Sequence, residues 1–271
     1  MTRVAASIVT YNSDRDELVK CIGSLQDAGV MAITIVDNSP ENSLATFCHE
    51  HNVHYIFNGK NLGYGAAHNI AIRQSISCRA KYHLVINSDV YFGPDVIDKI
   101  VSHMDSNQDI GQLIPRVTYP DGRLQHVVRL LPTPLDVIGR RFLPVSWTRK
   151  RNDRYTLAFW DHASELNIPY HQGSFMFLRV KALEQTGLFD ERFFMYPEDI
   201  DLTRRIHRRW RTVYWPGVSI VHAHRAASYK SGRMLRIHMV NMVSYFNKWG
   251  WIFDSERRRL NRQTLQTLKF K

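Results

Sequence analysis

The chain has 271 residues, of which 44% are hydrophobic and 23% charged, an ordinary globular balance with enough length to bury a sizeable core as one unit. No apolar run approaches the roughly 18 residues that span a bilayer, and Met1-Thr2-Arg3 leads straight into a strand-like run, so neither a membrane span nor a signal peptide is expected. The formal charge of +11 gathers at the end, where Arg225 to Lys271 hold 11 Lys and Arg against Asp254 and Glu256. Such a tail can lie on an anionic membrane, bind nucleic acid or be a solvated helix face. Cys21, Cys48 and Cys78 are odd in number and widely spaced, which points to a reduced, cytoplasmic compartment and away from a metal knuckle.

Val4 to Thr10 is a β-rich run closed by Thr10-Tyr11-Asn12-Ser13. Leu18, Cys21, Ile22 and Leu25 then recur at i, i+3, i+4 and i+7, the period of an amphipathic helix with Asp14 and Asp16 near its start. Ala32 to Val36 reads as a second strand ending in Asp37-Asn38-Ser39-Pro40; a helix through Leu44 and Phe47 and a third strand around Tyr55 to Phe57 follow. Asn61-Leu62-Gly63-Tyr64-Gly65-Ala66-Ala67-His68-Asn69 is a glycine-containing turn that runs into a helix through Ile76. Leu84-Val85-Ile86 is a short, wholly apolar strand that stops in Asn87-Ser88-Asp89. Each strand thus delivers polar side chains at its carboxyl end, the edge where open α/β sheets bind ligands.

After Pro94, the apolar positions Val96, Ile97, Ile100 and Val101 mark a helix, Ile110 to Val117 a strand, and Pro120-Asp121-Gly122 a hairpin turn. Residues 129 to 165 are rich in Arg, Pro and Trp without a period and read as a long loop with one short helix, a length that serves function in compact domains. Ser174 to Val180 resumes a strand. Pro197 suits a first helical position, so Glu198 and Asp199 fall in a first turn where the helix dipole favours negative charge. Leu202, Ile206 and Trp210 share one face of that helix, and Asp201 pairs with Arg205 on a solvated face. Thr212 to Trp215 and Val218 to Val221 are two short strands, followed by His222 and His224. The remainder is helical and basic, with an apolar stripe of Met239, Met242, Val243 and Phe246.

Seven motifs stand in series: Val9-Thr10-Tyr11-Asn12, Val36-Asp37-Asn38-Ser39, the Asn61 to Asn69 turn, Asn87-Ser88-Asp89, Gly187-x-Phe189-Asp190-Glu191, Glu198-Asp199-x-Asp201-Leu202 and His222. In this order they resemble the family 2 glycosyltransferases of the GT-A fold, and within them the bacterial rhamnosyltransferases that build O-antigen and other surface polysaccharides. The resemblance spans about residues 3 to 228. It implies an α/β GT-A domain over residues 1–228, with a Rossmann-like nucleotide-binding half and a mixed central sheet, then a basic amphipathic helical extension over residues 229–271. The activity implied is metal-dependent, inverting transfer of a deoxyhexose, L-rhamnose from dTDP-L-rhamnose, to a polyprenyl-diphosphate-linked glycan on the cytoplasmic face. A UDP-hexose or UDP-hexosamine donor on the same fold, or a catalytically silent nucleotide-sugar scaffold, are the alternatives.

On this resemblance Asp37 accepts the base N3–H that thymine and uracil share, with Thr10, Tyr11, Asn12 and Asn38 lining the same pocket. An Asx-type turn would account for Asp37-Asn38-Ser39-Pro40 equally well. Asn61, Gly63, Gly65 and Asn69 hold the loop over the nucleotide. The family's Asp-x-Asp motif stands as Asn87-Ser88-Asp89, which leaves Asp89 as the charged ligand of Mg2+ or Mn2+, with His222 as a second ligand ahead of His224, and Asn87 and Ser88 on the donor side. Asp199 matches the base that takes the acceptor proton and Glu198 an acceptor or loop contact. Gly173 and Ser174 match the acceptor side, where Trp160, Tyr170 and Phe194 could face a sugar ring. The tail, with Tyr245, Phe246, Trp249, Trp251 and Phe253, fits a surface helix beside anionic lipid. A homodimer contact is the competing account of its stripe, and nucleic-acid binding is disfavoured because no recognised motif accompanies the charge.

Overall fold

The computed structural model describes residues 3–137, 144–223 and 232–270. Among these, β1 (Val4–Thr10), β2 (Ala32–Asp37), β3 (His54–Phe57) and β4 (Tyr82–Ile86) run parallel in the order β3-β2-β1-β4. The same sheet continues through β8 (Phe175–Arg179), antiparallel to both β4 and β6 (Ile110–Thr118). Beyond β6 come β9 (Arg211–His222), parallel to it, and the short β5 (Val90–Tyr91) and β7 (Leu166–Asn167), each antiparallel to β9. The sheet is therefore mixed, with a parallel nucleotide-type half and an antiparallel insertion.

Period-2 alternation decides which residues enter which layer. In β4, Tyr82, Leu84 and Ile86 join one buried cluster with Leu18, Ile22 and Leu25 of α1 (Arg15–Asp27) and with Ile97 and Ile100 of α4 (Val96–Ser106). Val85 between them faces the opposite cluster, with Ile72 of α3 (Tyr64–Ser77), Leu183 of α6 (Val180–Thr186), and Leu202 and Ile206 of α7 (Glu198–His207). The expected face of α1 is the buried one, and Asp14 caps it by accepting from the Asp16 N–H at 2.9 Å. α2 (Ala45–Glu50) turns the corner between β2 and β3. The Pro120-Asp121-Gly122 turn forms as expected: the Tyr119 N–H donates to Arg123 O (2.8 Å) and the Gly122 N–H to Tyr119 O (2.9 Å).

Three expectations change. The two strands expected on either side of Pro216-Gly217 are one strand of 12 residues, because β6 stays paired along both parts and absorbs the irregularity as a register shift between Pro115 and Arg116. The helix inside the 129–165 loop, α5 (Val145–Tyr155), has 11 residues. Asp201 is not on a solvated face. It is fully buried and, besides its bond to Arg205 (2.8 Å), receives the Trp249 indole N–H at 2.8 Å and the Lys248 ammonium at 2.5 Å.

The reason is the C-terminal region, α8 (Gly232–Trp249) and α9 (Ser255–Thr267), which docks on α7. Met242, Tyr245, Phe246, Leu260 and Leu265 enter the main core, whereas Val243 of the expected stripe is exposed. Arg204 of α7 is buried among them. Its guanidinium is held in a fork by Asp254 (2.7 and 2.8 Å), shared with Glu256 (2.8 Å), and stacked 4.0 Å from the Trp249 ring centre. The boundary expected at residue 228 lies outside the described residues. Because a buried charge stripped of its partner is expensive, Arg204→Ala should lower unfolding free energy by about 3–5 kcal/mol in a denaturant titration; a change below about 1 kcal/mol would show that the ion cluster does not hold α7 to the tail.

Candidate active site

At the parallel end of the sheet, Thr10 and Asp37 are register partners at the carboxyl ends of β1 and β2. Asp37 is fully buried. Its Oδ1 accepts from the Thr10 hydroxyl (2.9 Å) and the Ser39 N–H (3.0 Å), the second being the Asx turn, and its Oδ2 accepts from the Tyr55 hydroxyl (2.8 Å). One lone pair on Oδ2 is left by this count. Tyr11 is half exposed at the rim, and Asn12 takes a left-handed φ of +50°, its N–H donating to Ser39 Oγ (2.9 Å). Asn38 is buried instead of lining an open pocket: Nδ2 donates to Gly63 O (3.1 Å) and Oδ1 accepts from Asn58 (2.8 Å).

That bond leads into a joint between two distant motifs. Asn61 Oδ1 accepts from the Gly63 N–H at 2.9 Å. Gly63 has φ +87°, and a Cβ there would stand 2.3 Å from Phe194 O, the oxygen that also receives the Tyr64 N–H (3.0 Å). A Cβ on Gly65 would stand 2.8 Å from Phe189 Cβ. Asn69, 120 residues from Phe189, grips its backbone with both amide groups (2.9 and 3.0 Å) and reaches Glu191 Oε1 at 2.9 Å. The side chain of Asn69 is thus spent on holding the 187–194 loop. The two glycines are required because the Phe194 backbone, at Gly63, and the Phe189 side chain, at Gly65, pass where a Cβ would be.

The acids meet through Tyr64. Its hydroxyl donates to Gly173 O (2.7 Å) and lies 2.9 Å from Asn87 Oδ1, while the Gly173 N–H donates to Asp199 Oδ2 (2.8 Å) and the Asn87 N–H to Ser174 O (3.0 Å). A Cβ on Gly173 would lie 3.3 Å from Asp199 Cβ, so glycine permits this approach. Burial first, then the charges of Glu198, Asp199 and Asp89, push the Tyr64 phenol well up, so all three carboxylates act on one group. Burial raises the Asp199 carboxyl to about 7, against the pull of the Ile200 and Gly173 N–H groups and the charge of Arg129. Glu198 beside it is also driven well up, by burial and then by Asp199, and its Oε2 has no hydrogen-bond partner among the described residues. Tyr196, two residues before Glu198, has φ +98°, a strained backbone for a side-chain-bearing residue.

Asn87, Ser88 and Asp89 are all half-buried at the end of β4. Asp89 Oδ1 lies 3.3 Å from His222 Nε2, because β5 pairs with the end of β9 and sets Val90 opposite His222. Gln125 fixes the imidazole: its Nε2 donates to His222 O (2.7 Å), so its Oε1 must accept, and it does so from His222 Nδ1 (3.0 Å). His222 Nε2 is then a lone pair facing a carboxylate oxygen, a pair of acceptors suited to a cation between them and oriented as metal-ligating histidines are. Among the described residues no group of three His, Cys, Asp or Glu could hold a metal. His224 lies outside the described residues.

Of the expected aromatics, Tyr170 is buried beneath the Arg129 guanidinium (5.9 Å), and Trp160 packs on His162 and Tyr214. Tyr64, Gln125 and Arg129 are site residues that the sequence did not single out. A groove of about 480 Å³ lined by Arg3, Gly29, Met31 and Val101 opens at the opposite, amino ends of β1 and β2 and involves none of these groups. Gly63→Ala should cost at least about 1–3 kcal/mol and loosen the joint, read as a lowered melting temperature. An unchanged melting temperature would mean that the 61–69 and 187–194 segments do not depend on each other.

The family model for glycosyl transferase family 2 matches residues 6–187. The chain is 29% identical to N-acetylglucosaminyl-diphospho-decaprenol L-rhamnosyltransferase of Mycobacterium tuberculosis, over 95% of this chain and 86% of that protein. It is 31% identical to the low-salt glycan biosynthesis hexosyltransferase Agl10 of Haloferax volcanii, over 74% of this chain and 60% of that protein. Among solved structures, GalNAc-T7 with UDP, GalNAc and Mn2+ superposes at TM-score 0.59 with 13% identity, over 82% of this chain and 43% of that chain. S. aureus TarS 1–349 superposes at TM-score 0.59 with 14% identity, over 100% of this chain and 73% of that chain. At such identities the structural likeness speaks for the fold.

Proposed function

The chain belongs to glycosyl transferase family 2, and on that premise we propose that it is an inverting, metal-dependent rhamnosyltransferase that moves L-rhamnose from dTDP-L-rhamnose to a lipid-linked diphosphate glycan. The sugar and acceptor follow the relative named N-acetylglucosaminyl-diphospho-decaprenol L-rhamnosyltransferase, matched along nearly the whole chain. The observation that supports the reading is the hydrogen-bonded path from Asn87, two residues before Asp89, through Tyr64 and Gly173 to Asp199.

Asp199 takes the proton of the acceptor hydroxyl as its oxygen bonds to the anomeric carbon, while the bond from that carbon to the nucleoside diphosphate breaks on the opposite face. A carboxyl raised to about 7 is a base whose conjugate acid can hold that proton at neutral pH. Glu198, buried beside it and pushed toward its protonated form, offers a hydrogen bond to the acceptor. Asp89 and His222 would hold Mg2+ or Mn2+, with Gln125 orienting the imidazole, and the cation would offset the charge of the departing diphosphate. Asp37, with Thr10 behind it, receives the base, and Tyr11, Asn12 and Ser88 border the donor. Asn38, Asn61, Gly63, Gly65 and Asn69 serve the donor indirectly, by fixing the loop.

Asp199→Asn should abolish turnover yet leave intact the rise in melting temperature that dTDP-L-rhamnose with Mn2+ produces. For the wild type, log(kcat/KM) should climb as pH rises through about 7, because the base works only once its proton is lost. Turnover retained in the variant would remove Asp199 from the role. A shift produced by UDP-sugars alone would replace the donor and keep the mechanism.

We place the protein at the cytoplasmic face of a membrane. No helix among the described residues is long and apolar enough to cross one. Tyr245 and Phe246 are core, so contact would fall to the α8–α9 turn, where Trp251, Ile252 and Phe253 are 40%, 66% and 89% exposed ahead of the exposed Arg258 and Arg259. The chain should sediment with anionic vesicles and Phe253→Ser should weaken this several-fold; equal sedimentation of both would move the contact elsewhere.

A further inference from the structure

Beside Asp199 two arginines and two histidines converge; burial pushes both imidazoles down, His162 to about 4, so the standing charge is that of Arg116 and Arg129. The segment holding His126 and Arg129 lies along the loop before Gly173: the Gln172 N–H donates to Val127 O (2.8 Å) and the Arg129 N–H to Tyr170 O (3.4 Å). Arg129 Nε donates to His126 O (3.3 Å), and the His126 and His162 rings are 5.1 Å apart. Arg116, on β6, is near enough for its charge to act on both His162 and Tyr214. Among the described residues neither Arg116 nor Arg129 has a carboxylate within 4 Å, and His126 Nδ1 is buried without a hydrogen-bond partner. The acid nearest to His162, Asp161, is exposed and its Oδ1 is occupied by the Ala163 N–H (2.9 Å). Apart from the field of Asp199 on Arg129, the two guanidinium groups stand without a paired acid among the described residues, which leaves N–H donors for an anion to complete.

We infer that Arg116, His126 and Arg129 form a receptor for diphosphate oxygens, and that the diphosphate it takes is the acceptor's. This rests on the lipid-linked acceptor proposed above. The donor's diphosphate belongs with Asp89 and His222 at the end of β4, whereas Arg129 flanks the base that must meet the acceptor hydroxyl. Guanidinium groups suit the task, since each presents a planar fork to two phosphate oxygens.

The test uses the full chain with Arg116→Gln and Arg129→Gln made separately, each checked for an unchanged melting temperature. With inorganic pyrophosphate in EDTA, calorimetry should show binding to the wild type that weakens about tenfold or more in each variant. Pyrophosphate bound equally by all three proteins, or not by the wild type, overturns the receptor. In turnover, Arg116→Gln should raise KM about tenfold or more for a short-chain prenyl diphospho-GlcNAc and leave octyl GlcNAc and the donor KM unchanged. A rise in donor KM instead assigns the cations to the nucleotide and overturns the inference. If the wild type glycosylates neither acceptor, the acceptor assignment fails with the proposed function, while the calorimetric arm still decides whether the receptor exists. If Arg116→Gln does not fold, Arg116→Ala takes its place in both arms; Arg129→Gln carries the calorimetric reading alone, since Arg129 also acts on Asp199.

Discussion

Two carboxyl groups, on Glu198 and Asp199, sit side by side out of water, and much of the chain is arranged so that they can remain there. Desolvation and mutual repulsion both oppose their charge. Backbone N–H groups from Gly173 and Ile200 satisfy Asp199, and the charge of Arg129 partly offsets it. One turn further along the same helix, Asp201 and Arg204 are fixed by Lys248, Trp249, Asp254 and Glu256, and Asn241 donates to Met195 O just ahead of the strained Tyr196. The C-terminal helices are thus the backing against which α7 is held, and the unfavourable first turn is tolerated because the second is over-determined.

The polar residues and glycines at the sheet edge divide into two kinds of work. Asp89 and His222 face each other, and Asp199 lies at the other end of the Tyr64 path. Asn38, Gly63 and Asn69 face other protein backbone, Gly65 faces the Phe189 side chain, and they fix where the surrounding walls stand. Tyr64 belongs to both groups, since it closes the joint with its N–H and bridges the two walls with its hydroxyl. A substitution in either kind would lower activity, but the second kind would do so together with stability.

What could be read from the chain alone followed the range of the interactions. The α1 face, the four parallel strands and the turn at residues 120–122 depend on neighbours a few residues away, and their spacing is visible in the sequence. β9 was read as two strands because Pro216-Gly217 looks like a break; pairing with β6 overrides it. Asp89 and Asp199, whose charges both reach Tyr64, were singled out through the order of the motifs. Tyr64, Gln125 and Arg129 were not, because each acts on a partner far along the chain: 109 residues for Tyr64 to Gly173 and 97 for Gln125 to His222. Asp201 and the Tyr245 and Phe246 pair were placed on the surface for the same reason. Nothing local reveals that Lys248 and Trp249 would cover Asp201, or that Asp254 and Glu256 would close on Arg204.

The interlock of residues 61–69 with 187–194 also bears on how acceptor preference could be exchanged between relatives. The second segment leads directly into Glu198 and Asp199, so a recombinant that imported it by itself would set a foreign loop against a backbone path shaped to the host's Gly63, Gly65 and Asn69. The two stretches form a single cassette in space, though not along the chain, and would have to be transplanted together.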